Sequence, residues 1–425
     1  MNTGNPLGFV GSAIFHRNQI MNSNLVRSCL AAFAMMIAGH SVFAQTWVLT
    51  SAPAYEWTGI ACSTNGAKMV AAAYDDGFGN GGSIFTSTNF GVTWNQAGAL
   101  AGFSWQSVAS AADGARLAAA VNQDLNRNPG PIYASTNSGK VWKLTAAPTN
   151  NWLCIASSAD GSTLAAVDSG MGDGLVYVST NAGAAWKVTS APGNFWSSIA
   201  ISADGSKLAA VDSGFGDGLI YVSTNTGATW TATPAPNNPW TCVACSADGS
   251  RLTAANSGFG DDLIYISTNS GITWNMTSAP TNEWMSVASS ADGTELVAAD
   301  SGYGDGLIYL STNAGASWSA TGQPGDWNSV ASSADGSVLS AAAYPGGIYV
   351  LRSRPVLGIT RSGANLVLSW PALSSATGLV LQQVSDVAAT NWVTVNVSPG
   401  LTNGLYSAVV PLSLNTNRCY RLAGP

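Results

Sequence analysis

The 425-residue sequence predicts an all-β protein: a seven-bladed β-propeller closed by its own N-terminal strand, plus a small C-terminal β-sandwich-like domain. Three observations predict it. A unit led by tryptophan recurs at Trp57, Trp105, Trp152, Trp196, Trp240, Trp284 and Trp327, with successive spacings of 48, 47, 44, 44, 44 and 43 residues by subtraction. Turn signals divide each unit into four short segments, which is the size and strand count of a propeller blade. The last unit lacks its fourth segment, and a matching sequence stands ahead of the first unit. Composition agrees: 9% charged residues, 47 glycines and 16 tryptophans favour short strands and tight turns over helix.

The chain opens with what reads as an export signal. Met1–Ile20 looks like an upstream extension, with Met21 the start. Arg27 supplies the charged region, Cys29–Gly39 the apolar run, and Val42-Phe43-Ala44 the small-residue cleavage site before Gln45. The apolar run is shorter than the roughly 20 residues a bilayer demands, and no later stretch spans one. The expected divisions are 1–44 signal peptide, 45–352 propeller and 353–425 C-terminal module, the protein being secreted or held in the periplasm and cell envelope.

Within a blade the fourth unit is typical. Its first strand is expected at Ile199–Ser202, its second at Lys207–Val211, its third at Leu219–Ser223 and its fourth at Thr229–Thr233. Between the first two stands Asp204-Gly205, matched by Asp113-Gly114, Asp160-Gly161, Asp248-Gly249, Asp292-Gly293, Asp335-Gly336 and Asn65-Gly66. Such pairs predict a two-residue hairpin with both central residues at positive φ. Four residues after each leading tryptophan comes alanine (Ala61, Ala109, Ala156, Ala200, Ala244, Ala288, Ala331), as expected where inner strands crowd near an axis. Thr46–Pro53 matches Ala185–Pro192, so the N-terminal strand is expected to complete the seventh blade and hide two open edges.

Removing residues 1–44 removes both histidines (His16, His40) and two of the 15 basic residues. This leaves 13 against 22 acidic ones, a net charge near −9. Histidine-dependent nucleophilic catalysis and His-ligated zinc are excluded for the mature chain. Nucleic acid is a poor partner for so acidic a protein. The remaining Cys62, Cys154, Cys242, Cys245 and Cys419 are odd in number and occupy no position common to all units. They read as free, small core residues rather than a disulfide framework. A monomer is expected.

The turn between third and fourth strands reads Ser87-Thr88-Asn89-Phe90-Gly91-Val92-Thr93-Trp94 and recurs at Ser135–Trp142, Ser179–Trp186, Ser223–Trp230, Ser267–Trp274 and Ser311–Trp318. This resembles the Asp box, or BNR repeat, of sialidases, sortilin-type receptors, xyloglucanases and photosystem II assembly factors. All six copies hold asparagine where the family usually has aspartate. The resemblance implies a propeller whose boxes are structural and lie opposite the functional face. It does not by itself imply an activity. Sialidases would need an arginine cluster, and Arg116, Arg127, Arg251 and Arg352 do not supply one.

From Arg352 onwards the repeat stops. Apolar runs at Val356–Thr360, Asn365–Trp370, Leu379–Val384, Trp392–Val397, Leu405–Pro411 and Cys419–Leu422, broken by turn residues, predict a small sandwich. It resembles fibronectin type III-like modules that end many exported bacterial proteins.

One motif is not required by the fold. Asp168-Ser-Gly-Met-Gly-Asp173-Gly lies between second and third strands and recurs as Asp212–Gly218, Asn256–Asp262 and Asp300–Gly306. With the leading tryptophans it predicts an acidic, aromatic loop face. Candidate ligand-binding residues are Asp168, Asp173, Asp212, Asp217, Asp261, Asp300, Asp305, Trp152, Trp196, Trp240 and Trp284. The ligands such a face suits are a protein, a peptide or a glycan. No cofactor is required. A weak Ca²⁺ site at Asp168/Asp173, Asp212/Asp217 and Asp300/Asp305 is the one ion considered. Against this stands simple duplication, since Asp and Gly also make good turns. The two function classes are an exported binding or scaffold protein and a carbohydrate-active hydrolase using face carboxylates.

Overall fold

The computed structural model describes residues 11–12, 47–74, 82–97, 102–124, 126–214, 217–258, 262–352, 358–371, 380–384, 391–402, 405–411 and 418–423. Apart from residues 11–12, the expected export segment lies outside them, as does Asp261. Two compact units divide at Arg352: Gln45–Arg352, and Ser353–Pro425 together with Met1–Ala44.

The larger unit consists of seven four-stranded antiparallel sheets. The fourth runs Trp196–Ile201, Leu208–Asp212, Ile220–Ser223 and Thr231–Ala232 in spatial as in chain order. Its inner strand starts three residues earlier than expected, at the tryptophan itself. Trp196 pairs with Asp212, then the register shifts before Ser198 pairs with Val211. The same bulge follows all seven leading tryptophans. A bulge turns the residue after the tryptophan out of the ladder. There Thr58, Ser197 and Thr241 hydroxyls donate to the carbonyls of Trp105, Trp240 and Trp284 in the next blade, at 2.7, 2.8 and 2.9 Å.

Each sheet face is apolar and packs on its neighbour, so the core consists of seven wedges between blades. Every wedge holds one leading tryptophan, including that between the seventh and first blades, where Trp57 and Ile60 meet Ala331, Ala342 and Ile348. Ala200 packs toward Trp240 and Val243 in this way, which is why the position stays small. Val48–Leu49 pairs antiparallel with Ile348–Arg352 and stands as the outer strand of the seventh sheet.

A circle of backbone hydrogen bonds lies at the tips of the first hairpins. The amides of Thr64, Ala112, Ala159, Ala203, Ala247, Ala291 and Ala334 each donate to the carbonyl of the next member, at 2.7–2.8 Å, and Ala334 returns to Thr64. Nothing in the sequence pattern announced this circle, because it uses only main-chain groups.

The hairpins beside it correct the expected turn type. Gly205 has φ 76° but Asp204 does not have positive φ. The Gly205 amide donates to Ser202 O at 2.9 Å, and Ser202 N donates to Lys207 O at 2.9 Å, giving a four-residue loop. The aspartate instead accepts Ser202 Oγ–H (2.6 Å) and the Ser206 amide (3.0 Å). These bonds hold the Asp160, Asp204 and Asp248 carboxyls down at about 2.

The turns between third and fourth strands are built around asparagine. Asn89 Oδ1 accepts Ser87 Oγ–H and the Thr93 amide at 3.0 and 2.9 Å, while Phe90 and Gly91 sit at φ 60° and 79°. The other five copies repeat this pattern. The tryptophan that ends the turn reaches the preceding blade: Trp94 Nε1 donates to Thr50 Oγ1 and Trp230 Nε1 to Thr189 Oγ1, both at 3.1 Å.

All five described cysteines are free. Burial pushes the Cys62, Cys242 and Cys245 thiols up to about 12, which leaves them inert at neutral pH.

In the smaller unit two four-stranded antiparallel sheets enclose Leu368, Trp370, Ala408 and Val410 from one sheet and Leu381, Tyr420 and Leu422 from the other. Gly11–Ser12 lies along Cys419–Ala423 at the edge of the second sheet.

Candidate functional site

The loops between second and third strands and the links between blades emerge on one face. In blades one, three, four, five, six and seven the first amide of the loop donates to the carbonyl just before the leading tryptophan. These bonds run from Tyr74 to Glu56, Ser169 to Asn151, Ser213 to Phe195, Ser257 to Pro239, Ser301 to Glu283 and Tyr344 to Asp326. The residue preceding each tryptophan is thereby fixed at the base of the face.

The predicted aspartates fall into two kinds. Asp168, Asp212 and Asp300 turn inward and are 7–8% exposed. Asp168 Oδ1 accepts the Leu175 amide at 3.0 Å and Oδ2 accepts Asn150 Nδ2 at 2.7 Å. Asp212 Oδ1 accepts the Gly214 amide at 3.0 Å. Asn256 does the same work uncharged, its Oδ1 accepting the Leu263 amide at 3.1 Å. Asp173, Asp217 and Asp305 are exposed at the loop tips, where their amides donate to the carbonyls of Gly170, Gly214 and Gly302 at 3.0, 2.7 and 3.1 Å, closing one-turn 3₁₀ bends in blades three and six. In blades four and six the glycine that follows leaves no room for a side chain: a Cβ at Gly218 or Gly306 would overlap the carbonyl of Asp212 or Asp300. Among the described residues no three His, Cys, Asp or Glu side chains gather as a metal site.

The tryptophans require a correction. Trp152, Trp196, Trp240 and Trp284 are 0% exposed and present no face to a ligand. Each packs edge-on against its own blade's tyrosine, Tyr177, Tyr221, Tyr265 and Tyr309, with centroids 5.1–5.5 Å apart. An indole between two sheets gains more from burial than a stacking platform on the rim could.

The sequence reading missed a second acidic group. The residue before the leading tryptophan is Glu283, Asp326 and Glu56 in blades six, seven and one, which are consecutive round the ring. Tyr344 Oη donates to Glu56 Oε2 at 2.9 Å, and Ser301 Oγ to Glu283 Oε2 at 3.0 Å. Two of these acids act on neighbouring groups. Burial and then Glu283 raise the Asp326 carboxyl, and burial followed by Glu56 pushes the Tyr344 hydroxyl up to about 12. A signal was present, since two of the three glutamates in the propeller region occupy this position. Arg127 is the basic residue of the described part of this face. Lys68, Arg116, Lys207 and Arg251 follow the Asp-Gly or Asn-Gly hairpins on the opposite side.

Burial raises Asp168, Asp212 and Asp300 above the ordinary carboxyl value of 3.8. A raised folded-state pKa means a contribution present below 3.8 and lost as pH climbs through the higher folded value. The triple variant Asp168→Asn/Asp212→Asn/Asp300→Asn is therefore expected to gain stability over the parent at pH 7 and to converge with it near pH 4. Denaturant midpoints across that window test this. The corresponding alanine changes strand buried amides and should cost about 1–3 kcal/mol each.

Seven tryptophan-wedged, four-stranded blades define the class as a β-propeller. Solved structures support that fold. The chain is similar to YCF48 bound to D1 peptide, at 12% identity and TM-score 0.54, covering 72% of this chain and 96% of that one. It is also similar to the GH74 xyloglucanase from Xanthomonas campestris, at 14% identity and TM-score 0.57, covering 77% of this chain and 59% of the enzyme. No family model and no curated protein matches the sequence.

Proposed function

We propose that this chain is an exported, non-catalytic binding protein whose loop face docks a cationic segment of a partner polypeptide. One observation carries the reading: Glu283, Asp326 and Glu56 stand on three consecutive blades, with Asp173, Asp217 and Asp305 exposed on loops of the same face and Arg127 as basic counterweight. Acidic side chains held on neighbouring blades, with Glu283 raising the Asp326 carboxyl after burial, gain from an approaching cation, and such complementarity sets association rate and partner choice. A peptide-bound propeller among the similar folds is compatible with it. We take the segment ending at Ala44 as an export signal, so that the protein works in the envelope or outside the cell.

A fluorescent octalysine peptide is expected to bind, to weaken with added salt, and to lose roughly tenfold in affinity with Glu56→Gln/Glu283→Gln/Asp326→Asn. Salt-independent binding, or binding unaltered in the variant, sinks the proposal. Hydrolysis of a glucan by the parent, abolished by Glu283→Gln, would replace it with the glycosidase reading. We extend the proposal to a weak Ca²⁺ affinity at the exposed Asp173, Asp217 and Asp305, on the order of 10⁻⁴–10⁻³ M. Millimolar CaCl₂ should raise the melting temperature more than MgCl₂ at matched ionic strength, and equal shifts would reduce these loops to turns.

A further inference from the structure

A separate surface on the outer rim departs from the charge of the rest of the chain. A groove runs between the outer strand of blade two, Lys143–Leu144, and the Ala182-Gly183-Ala184 turn of blade three, over Ala134, Thr145 and Ala146. Lys143–Leu144 ends its sheet, pairing with Ile132–Ser135 on one side and with no described strand on the other. Val141, Leu144 and, on the neighbouring outer strand, Val188 are 53%, 63% and 52% exposed. Lys140, Lys143 and Lys187 stand exposed beside them. The whole chain has just two other lysines, Lys68 and Lys207.

From these we infer that the blade two–three rim is a docking edge for an extended, acidic segment of a partner polypeptide, which adds as a fifth strand beside Lys143–Leu144. Main-chain pairing to an open edge supplies affinity, and alternate side chains supply choice. The apolar members receive every second side chain of such a strand, and the lysines meet its carboxylates. Edge protection alone would distribute lysines over all open edges. The outer strands Val48–Leu49, Asn95–Gln96, Thr231–Ala232, Asn275–Met276 and Ser319–Gly325 carry none. The inference is independent of the loop-face proposal, since it concerns a different surface and the opposite charge.

The test uses the full chain and three labelled nonapeptides: alternating Glu and Val, the same peptide with Lys for Glu, and the Glu/Val peptide with its central valines replaced by proline. The acidic peptide is expected to bind more tightly than either other. Lys143→Glu/Lys187→Glu should weaken it about tenfold while leaving the melting curve unchanged. The Glu283→Gln/Asp326→Asn variant should leave it untouched, so failure here and failure of the loop-face proposal are told apart. Equal binding of the proline peptide excludes strand addition and overturns the inference, as does equal binding of the lysine peptide. A concentration-dependent dimer dissolved by Lys143→Glu would make a second copy the occupant, and tighter binding to phosphatidylglycerol vesicles than to the peptide would make it a membrane. Either result overturns it.

Discussion

Deletion of residues 45–53 is expected to remove roughly 5–8 kcal/mol, a large part of what a domain of this kind possesses. The segment touches three blades. Trp47 is 8% exposed within the wedge between blades six and seven, and its Nε1 donates to Thr321 Oγ1 at 3.0 Å. Val48 and Leu49 pair with Val350 and Tyr349. Thr50 Oγ1 accepts Trp94 Nε1 at 3.1 Å, and Ser51 Oγ donates to Val92 O at 2.9 Å, both in blade one. Loss of a buried tryptophan costs about 3–5 kcal/mol and a stranded indole donor about 1–3 more. The new open edge on Ile348–Arg352 adds a tendency to aggregate. Urea unfolding and sedimentation of the truncated protein check this, and a variant that unfolds at the parent's midpoint and stays dispersed refutes it. Trp47→Ala alone should reproduce most of the thermodynamic loss without the aggregation.

Trp196→Ala is the second large effect, at about 3–5 kcal/mol. The side chain is fully buried in the wedge of blades three and four, edge-on to Tyr221 at 5.4 Å and packed among Val167, Val176 and Ile199. Its removal leaves a cavity that two facing sheets cannot close. Trp196→Phe retains part of the ring and should cost less. Octalysine binding, measured where the alanine variant is still folded, is expected to remain at the parent's level. A variant of normal stability that fails to bind would restore the tryptophan to the surface.

How much was legible depended on where the physics was local. Strand count, blade boundaries and the Asp-Gly and Asn-Gly turns could be read directly, because period and turn chemistry act within a few residues. The turn type was misjudged where the aspartate bonds Ser202 and Ser206 rather than adopting positive φ, since the choice between a two- and a four-residue loop rests on pairing between the flanking strands. The duplicated Asp-Ser-Gly loops drew notice to Asp168, Asp212 and Asp300, whose carboxylates proved to be turned inward. The residues that crowd the face, Glu56, Glu283 and Asp326, recur in no constant form and attract no motif.

By itself the sequence determined that seven near-equal units must bury their apolar faces on one another, and that Thr46–Pro53 carries the character of a fourth strand. Hydrophobic periodicity and turn residues suffice for that, because each unit has no other surface on which to bury its tryptophan. Only the tertiary structure decided which aromatic side chains are available to a ligand and which are not. Only it brought blades six, seven and one side by side, so that Glu283 raises the Asp326 carboxyl and Glu56 the Tyr344 hydroxyl, each after burial. Closing a ring makes neighbours of residues some 270 positions apart, as when Asn328 Nδ2 donates to Trp57 O at 3.0 Å. Electrostatic coupling follows distance in space, which a linear pattern does not contain.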